Sequence, residues 1–357
     1  MTLPDLWFGI VAVLWTGFFV LEGFDFGVGV LHGVVGRTEH ERRVAINTIG
    51  PFWDGNEVWL IVGGAAIFAA FPSWYATWFS AGYLAVVLIL AALIARGVSF
   101  EFRGKVDTPQ WRRTWSTTLT VGSLLAPLLL GVALGDLLAG LPVDANEEFT
   151  GSFLDLLTPF GLLTGLSLLL LCVLHGASFL ALRTTGGLRT RALRLGRLLA
   201  VVALVAAVAY GAAVATLVNV GAVATPALVL APVGVLLASV ALGRRDGLAF
   251  CASAAAIGLT VVSLFAALYP NVLVSTTNPA FSLTVAGTAS GSYALKVMSV
   301  TALVLLPLVL LYQGWTYVVF RHRLSTPHEP ALPGRAAAGR PSTGEPPPAG
   351  PPLTHPG

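Results

Sequence analysis

Nine runs of about twenty apolar residues constrain this chain more than any other feature of its sequence. A helix of roughly 20 residues is long enough to cross the hydrocarbon core of a bilayer, which is about 30 Å thick. Charged residues occupy only 10% of the 357 positions, whereas soluble domains carry roughly 25%. The sequence therefore predicts an all-α polytopic membrane protein and excludes a soluble fold. The predicted spans are 6–31, 52–71, 75–96, 117–139, 155–181, 197–219, 224–242, 249–269 and 294–320.

The boundary between the sixth and seventh spans depends on one break, which Asn219 and Pro226 supply. Without it there would be eight spans, and the C-terminus would lie on the other side. Loops on the cytoplasmic side hold an excess of Lys and Arg. Here the odd-numbered spans are followed by basic residues and the even-numbered spans are not, which favours nine transmembrane helices with the N-terminus outside and the C-terminus in the cytoplasm. The basic residues are Arg37, Arg42, Arg43, Arg103, Lys105, Arg112, Arg113, Arg183, Arg189, Arg191, Arg194, Arg197, Arg244, Arg245, Arg321 and Arg323.

The end of the chain differs in composition from the rest. Residues 324–357 are rich in Pro, Gly and Ala and show no apolar periodicity. Such a segment buries too little apolar surface to offset the entropy of ordering it. We therefore expect a membrane domain over residues 1–323 and a disordered cytoplasmic tail over 324–357.

Four carboxylates lie in the first two spans, where an ionisable group is costly unless it is paired, hydrated or protonated. Glu22 and Asp25 are three residues apart and share one face of the first helix, and Asp54 and Glu57 repeat that spacing in the second. Because the second helix returns from the cytoplasm, all four should lie in the cytoplasmic half of the membrane. Closely spaced carboxylates at low dielectric can hold or pass protons near neutral pH, which predicts a proton path. The alternative is that they cap helices or pair with Arg37, Arg42, Arg43 or Arg96.

Other candidate groups in the spans indicate packing more than chemistry. His175 stands alone in an apolar run and is more typical of a hydrogen-bonded core residue than of a ligand, and the sequence offers no convincing pair of axial histidines for a haem. Asp136 and Lys296 are expected to snorkel at the outer side. Two pairs of small residues, Gly23 with Gly27 and Gly29 with Gly33, predict close packing of the first helix against the second.

Several motifs resemble one family closely. Residues 22–29 read EGFDFGVG, residues 47–60 read NTIGPFWDGNEVWL, and residues 96–103 read RGVSFEFR. The block from Tyr269 to Thr284 and the segment 311–315, LYQGW, continue the same pattern. The sequence resembles subunit II of cytochrome bd-type quinol oxidases over essentially the whole chain up to about Arg323. The WDGNE block within a membrane protein of this size is highly specific.

This resemblance implies a respiratory terminal oxidase that oxidises quinol and reduces dioxygen to water. It implies a heterodimer with subunit I, in which each subunit has two four-helix bundles and one additional helix. The three haems, of the b and d types, would reside in subunit I, so we expect no catalytic residue, haem ligand or metal ligand in this chain. Subunit II would support assembly of the haem site and carry protons, with Trp53 and Asp54 near the haem-bearing core and Trp53 at the subunit boundary.

Two other functions stay open at this stage. A purely structural subunit that holds the haem-bearing partner is compatible with every sequence feature. A secondary transporter with a carboxylate coupling site would place its ionisable groups near the midplane in both halves. Here the acids are confined to the first two helices, which disfavours the transporter. The resemblance also leaves undecided whether a quinone is bound structurally and whether small accessory subunits join.

Overall fold

Helices account for most of the chain in the computed structural model, which describes residues 2–218 and 220–325. A short antiparallel pair, β1 (Asn271–Leu273) and β2 (Leu283–Thr284), lies in the loop before the last long helix. The helices are α1 (Leu3–Val35), α2 (Glu39–Asn47), α3 (Trp53–Ala70), α4 (Pro72–Ala81), α5 (Tyr83–Phe102), α6 (Pro109–Ala139), α7 (Pro159–Arg183), α8 (Gly186–Leu217), α9 (Ala224–Ala241), α10 (Asp246–Leu268), α11 (Val285–Thr288) and α12 (Ser292–Val319).

Helix starts follow local sequence signals. The hydroxyls of Thr108 and Thr158 accept hydrogen bonds from backbone N–H groups in the first turns of α6 and α7, and a proline follows each threonine. A threonine cap satisfies a donor that the helix leaves free, and proline at the first helical position loses no hydrogen bond. Helix α2 begins with a reciprocal capping box between Thr38 and Glu41. These signals set where the chain turns between apolar runs.

The prediction of a multi-pass membrane protein is confirmed. Within the described residues, eight helices are long and apolar enough to cross a bilayer, namely α1, α5, α6, α7, α8, α9, α10 and α12. Helix α3 has 18 residues, but its first turns carry the polar side chains of Asp54, Asn56 and Glu57, which reduce its mean hydropathy. The predicted break after the sixth span is present, because α8 ends at Leu217 and α9 begins at Ala224.

The helix bounds differ from the predicted spans at several places: α6 and α8 begin well before residues 117 and 197, and two other predicted spans are interrupted. The third span is not one helix, since it is divided at Gly82 into α4 and α5. The fifth was predicted from residue 155, but residues 153–156 form a 3₁₀ turn and α7 starts only at Pro159. At both interruptions the sequence stays apolar while the backbone conformation changes. Hydropathy alone therefore does not predict where the helix begins or is divided.

Helices α1 and α7 form the centre of the bundle and cross with their backbones in contact. A Cβ atom on Gly176 would lie 2.5 Å from Gly27 Cα, so neither position has room for a side chain. The prediction that α1 packs through its glycines against the second span was wrong. Gly23 and Gly27 face α7, Gly29 faces Ser123 of α6, and α3 instead presents the Trp59 ring to α1.

Helix α12 lies at the outside and buries only Leu295. Just beyond it, the backbone N–H of Leu324 donates to the carbonyl of Arg183 at 2.7 Å. The predicted tail therefore starts with a residue that is bound to the end of α7. Residues 326–357 of that tail lie outside the described part of the chain.

Candidate functional site

A buried ionic cluster occupies the space between α1, α3 and α5. Glu22 on α1 and Arg96 on α5 are both fully buried and form an ion pair. Arg96 Nη1 also lies 3.9 Å from Glu57 Oε2 on α3. Asp25, one turn after Glu22, is fully buried as well. We call Glu22, Asp25, Glu57 and Arg96, with Asn56, the acidic cluster.

Aromatic and small residues create the room for Arg96. The guanidinium carbon lies 4.8 Å from the centroid of the Phe26 ring and 5.4 Å from that of Phe100, within the range of cation–π contacts. Behind it, a Cβ atom on Gly122 of α6 would lie 2.9 Å from Arg96 Cβ. The cation is thus held by packing as well as by charge.

Asn56 links the cluster to α12. Its amide nitrogen donates to Asp25 Oδ2 at 2.7 Å and to the carbonyl of Leu21 at 3.0 Å. Its amide oxygen accepts from Gln313 Nε2 at 2.9 Å and from the Tyr317 hydroxyl at 3.1 Å. The amide therefore uses two donors and two acceptor sites, which is its full capacity. This network fixes the amide that binds Asp25 Oδ2.

Several atoms of the cluster have no hydrogen-bond partner among the described residues. They include Asp25 Oδ1, Glu22 Oε2, and Nε and Nη2 of Arg96, whereas Glu22 Oε1 and Arg96 Nη1 contact each other in the ion pair. Buried polar atoms in native proteins are nearly always satisfied, by protein or by ordered water. A cluster of unsatisfied carboxylate oxygens is therefore a place where water or a proton is expected.

The structure brings together three of the four predicted carboxylates. Asp54 is exposed at the start of α3, one turn before Glu57, and stands apart from the buried pair Glu22 and Asp25. Trp53 is half-buried and stacks on Phe100, with ring centroids 4.8 Å apart. Of the four arginines considered as alternative partners of these carboxylates, Arg96 forms an ion pair with Glu22. Arg37, Arg42 and Arg43 form no ion pair with these carboxylates within the described ranges.

Sequence reasoning missed the polar residues that organise the cluster. Asn56 lies inside the WDGNE block and Gln313 inside LYQGW, but neither titrates and neither was considered as a site residue. Tyr317 was missed because it lies two residues beyond the motif. A polar residue within an apolar span is the signal that would have identified Asn56 and Gln313.

His175 of α7 has neutral surroundings. Its Nδ1 lies 2.7 Å from Ser253 Oγ, and its ring stacks on Phe250 with centroids 4.4 Å apart. In the described part of the chain no group of three His, Cys, Asp or Glu side chains is placed to hold a metal ion. Lys296 is exposed. Asp136 does not snorkel as predicted, because it is buried and accepts a hydrogen bond from Thr158 at 2.6 Å.

Ion pairs gather at one end of the bundle, where α1, α5, α7 and α12 end. We call it the arginine-rich end. Arg103 contacts Glu39 at 2.5 Å, Arg191 contacts Glu41 at 2.5 Å, and Asp246 receives Arg189 at 2.8 Å. Burial tends to raise the pKa of Glu41, but hydrogen bonds from Arg191 and from two backbone N–H groups hold that pKa below its ordinary value.

Comparison with known proteins gives consistent matches. The family model described as cytochrome bd terminal oxidase subunit II matches residues 3–320. Cytochrome bd ubiquinol oxidase subunit 2 of Bacillus subtilis (strain 168) is 46% identical over 329 residues, which cover 91% of this chain and 97% of the relative. Cytochrome bd-I ubiquinol oxidase subunit 2 of Escherichia coli (strain K12) is 38% identical, over 87% of this chain and 92% of the relative.

A solved structure shares the fold. The structure of bd oxidase from Geobacillus thermodenitrificans contains a chain that matches with a TM-score of 0.70 at 16% sequence identity, over 89% of this chain and 99% of that one. Because the family model covers nearly the whole membrane domain, and because the relatives match along almost their full length, this chain belongs to the cytochrome bd terminal oxidase subunit II family.

Proposed function

We propose that this chain supports the haem-bearing subunit I of a quinol-oxidising terminal oxidase and brings protons toward it from the cytoplasm. Family membership makes the chain a subunit of a cytochrome bd terminal oxidase. Its relatives are named as ubiquinol oxidase subunits, which supports quinol as the reductant. Reduction of dioxygen to water consumes protons, so such a complex needs a polar path into the membrane. The haems belong to the partner in this proposal, and a bound quinone and accessory subunits stay predictions.

The arginine-rich end is the cytoplasmic side in this proposal. The positive-inside rule supports that orientation, with the N-terminus outside and the C-terminus in the cytoplasm. Counting α3 as a span, and α4 with α5 as one, gives nine. The packing favours one bundle of α1, α3, α4 with α5, and α6, a second bundle of α7 to α10, and α12 as the additional helix.

One observation carries the proton path: the acidic cluster holds two fully buried carboxylates, Glu22 and Asp25, but a single buried cation, Arg96. Glu22 and Glu57 lie within 4 Å of Arg96, and Asp25 accepts from Asn56 beside them, so the cluster holds two more negative charges than positive ones when all are ionised. Uncompensated charge in a membrane interior costs several kcal/mol. Bound protons remove that cost, so the cluster is suited to take them up and release them.

The path we propose begins at Asp54. Its exposed carboxylate lies at the start of α3, one helical turn from Glu57, and Glu57 in turn approaches Arg96. Protons would pass from Asp54 to Glu57 and then to Glu22 and Asp25. Trp53 beside it, half-exposed and stacked on Phe100, is proposed to pack at the boundary with subunit I near its haem core.

The decisive experiment is Asp25→Asn in the purified complex. Asparagine keeps the size of the side chain and an oxygen to accept from Asn56, but it does not carry a proton. We expect quinol-driven oxygen consumption to fall at least about tenfold, equivalent to about 1.4 kcal/mol in the barrier, at unchanged haem content. Asp144→Asn, in an exposed loop, is the matched control.

Asp54→Asn tests the entrance of the path in the same assay. Reduced oxygen consumption at normal haem content supports its role, and full activity rules that role out. If Asp25→Asn also keeps full activity, the chain is a structural subunit without a proton path. Loss of the haem spectrum in either variant would assign the residue to assembly instead.

A further inference from the structure

A cavity of about 750 Å³ opens at the arginine-rich end, between the end of α1, the start of α2 and the start of α6. Three arginines and one glutamate line it, so its net charge is positive. The residues used below are His32, Arg42, Arg112, Arg113, Thr117 and Glu39. The acidic cluster does not contribute to this cavity.

Two of the three arginines are available to bind an anion. Glu39 is engaged by Arg103, and Arg112 forms an ion pair with Asp107. Arg42 donates through Nε to the carbonyl of Gly36 at 3.1 Å, which leaves its two terminal nitrogens free of protein acceptors in the described ranges. Arg113 is exposed and has no acidic partner within the same ranges.

His32 is the fully buried member of the lining. Its Nδ1 lies 2.7 Å from the carbonyl oxygen of Gly29. Because a carbonyl only accepts, Nδ1 carries the hydrogen, and Nε2 of the neutral ring is then an acceptor. That Nε2 atom has no partner among the described residues. The cavity therefore combines cations for an anion with one buried acceptor for a hydroxyl group.

Aromatic residues indicate the depth of the cavity. Trp111 and Trp115 lie in the first turns of α6, with ring centroids 5.6 Å apart, and Trp111 Nε1 donates to the carbonyl of Phe102 at 2.7 Å. Tryptophan is enriched where a membrane-spanning helix meets the lipid headgroups. Arg112 and Arg113 lie between these two residues in sequence, which places the cavity at headgroup depth.

We propose that this cavity binds the headgroup of an anionic phospholipid that carries a hydroxyl, such as phosphatidylglycerol. Arg42 and Arg113 bind the phosphate, as guanidinium groups do in charge-assisted pairs, and His32 Nε2 accepts from the headgroup hydroxyl. Thr117, also exposed on the lining, supplies a further donor. The site is independent of the proton path and would exist if that path were absent.

The test measures lipid binding to the purified oxidase complex. After delipidation, the complex is titrated with phosphatidylglycerol and with phosphatidylcholine, and bound lipid is counted by native mass spectrometry. We expect Arg42→Gln and Arg113→Gln each to weaken phosphatidylglycerol binding about fivefold. The matched control is Arg194→Gln, which removes an exposed arginine of α8 at the same end and should bind as the wild type does.

A third variant tests the hydroxyl. His32→Leu should weaken binding of phosphatidylglycerol about fivefold but leave binding of phosphatidic acid, which lacks the headgroup hydroxyl, unchanged. Haem content shows whether each variant folds. Lipid binding by Arg113→Lys, which keeps the positive charge, provides a second check on folding. Equal lipid binding by Arg113→Gln and Arg194→Gln would overturn the proposal. Displacement of the lipid by millimolar inorganic phosphate would also overturn it, because the site would then be one for free phosphate.

Discussion

The two central helices, α1 and α7, carry different kinds of buried polar group near the point where they cross. On α1, Glu22 and Asp25 face Arg96 and Asn56 and are linked to α3, α5 and α12. On α7, His175 meets a neutral serine hydroxyl and an aromatic ring of α10. Both sites are fully buried. At this level of the bundle, one half thus holds the buried carboxylates and their cation, while the other holds a packing contact without a charged partner.

Aromatic side chains separate the two sites. Phe24 lies between Glu22 and Asp25 in sequence but points away from them, stacking on Phe179 of α7 with centroids 4.2 Å apart. A helix turns by 100° per residue, so neighbouring residues face different neighbours. The charges therefore remain confined to the α1, α3 and α5 side. We infer that the second half stabilises the first without sharing its chemistry.

The largest expected effect follows from removing the buried cation of the acidic cluster. Arg96→Leu leaves Glu22 buried without a cation, which should destabilise the complex by about 3–5 kcal/mol. Thermal unfolding followed through haem absorbance measures this loss. The double variant Glu22→Gln with Arg96→Leu removes both charges and should recover most of the stability. Wild-type stability of Arg96→Leu alone would show that Glu22 is already protonated.

The second-largest effect is expected where the backbones of α1 and α7 are in contact. Gly176→Ala places a Cβ atom 2.5 Å from the backbone of Gly27, so α1 and α7 must move apart. We expect a loss of about 1–3 kcal/mol, seen as a lower thermal midpoint. Gly9→Ala on α1 meets nothing within 4 Å and serves as the control. Equal midpoints for the two variants would contradict the close contact.

A smaller effect is expected in the neutral half. His175→Leu removes the hydrogen bond to Ser253, which should cost about 1 kcal/mol, because Ser253 still donates to the carbonyl of Phe250 at 2.9 Å. Oxygen consumption per haem should not change. Reduced turnover at normal haem content would show that His175 takes part in proton transfer, and the contrast between the halves would be wrong.

The smallest effect concerns the ion pair that connects α2 with α8. Glu41→Gln should cost about 0.5 kcal/mol at pH 7, because the pair is partly exposed to solvent, measured as the shift in thermal midpoint. The pKa of Glu41 in the folded protein lies below its ordinary value of 4.5. Its contribution is therefore complete above about pH 4.5 and is lost as the pH falls through the lowered pKa. A difference that does not depend on pH would mean that shape, and not charge, holds this contact.

Much of the site could be predicted from local spacing. Glu22 and Asp25 share a helix face because they are three residues apart, and the return of the chain brings Glu57 to the same level. The same spacing placed Asp54 with them, but Asp54 lies in the first turn of α3, at the end of the helix, and is exposed. Arg96 entered only as one of four alternative partners, since spacing within one helix does not state which neighbouring helix supplies a counterion.

The sequence by itself determined the class of protein, the positions of most helices and the excess of arginine at one end. These properties depend on composition and on contacts within a few residues, which any part of the chain carries locally. Only the tertiary structure decided that Arg96 pairs with Glu22, that Asn56 connects Asp25 to α12, and that Gly27 meets Gly176. Those contacts join residues far apart in the chain, and their geometry depends on how whole helices cross.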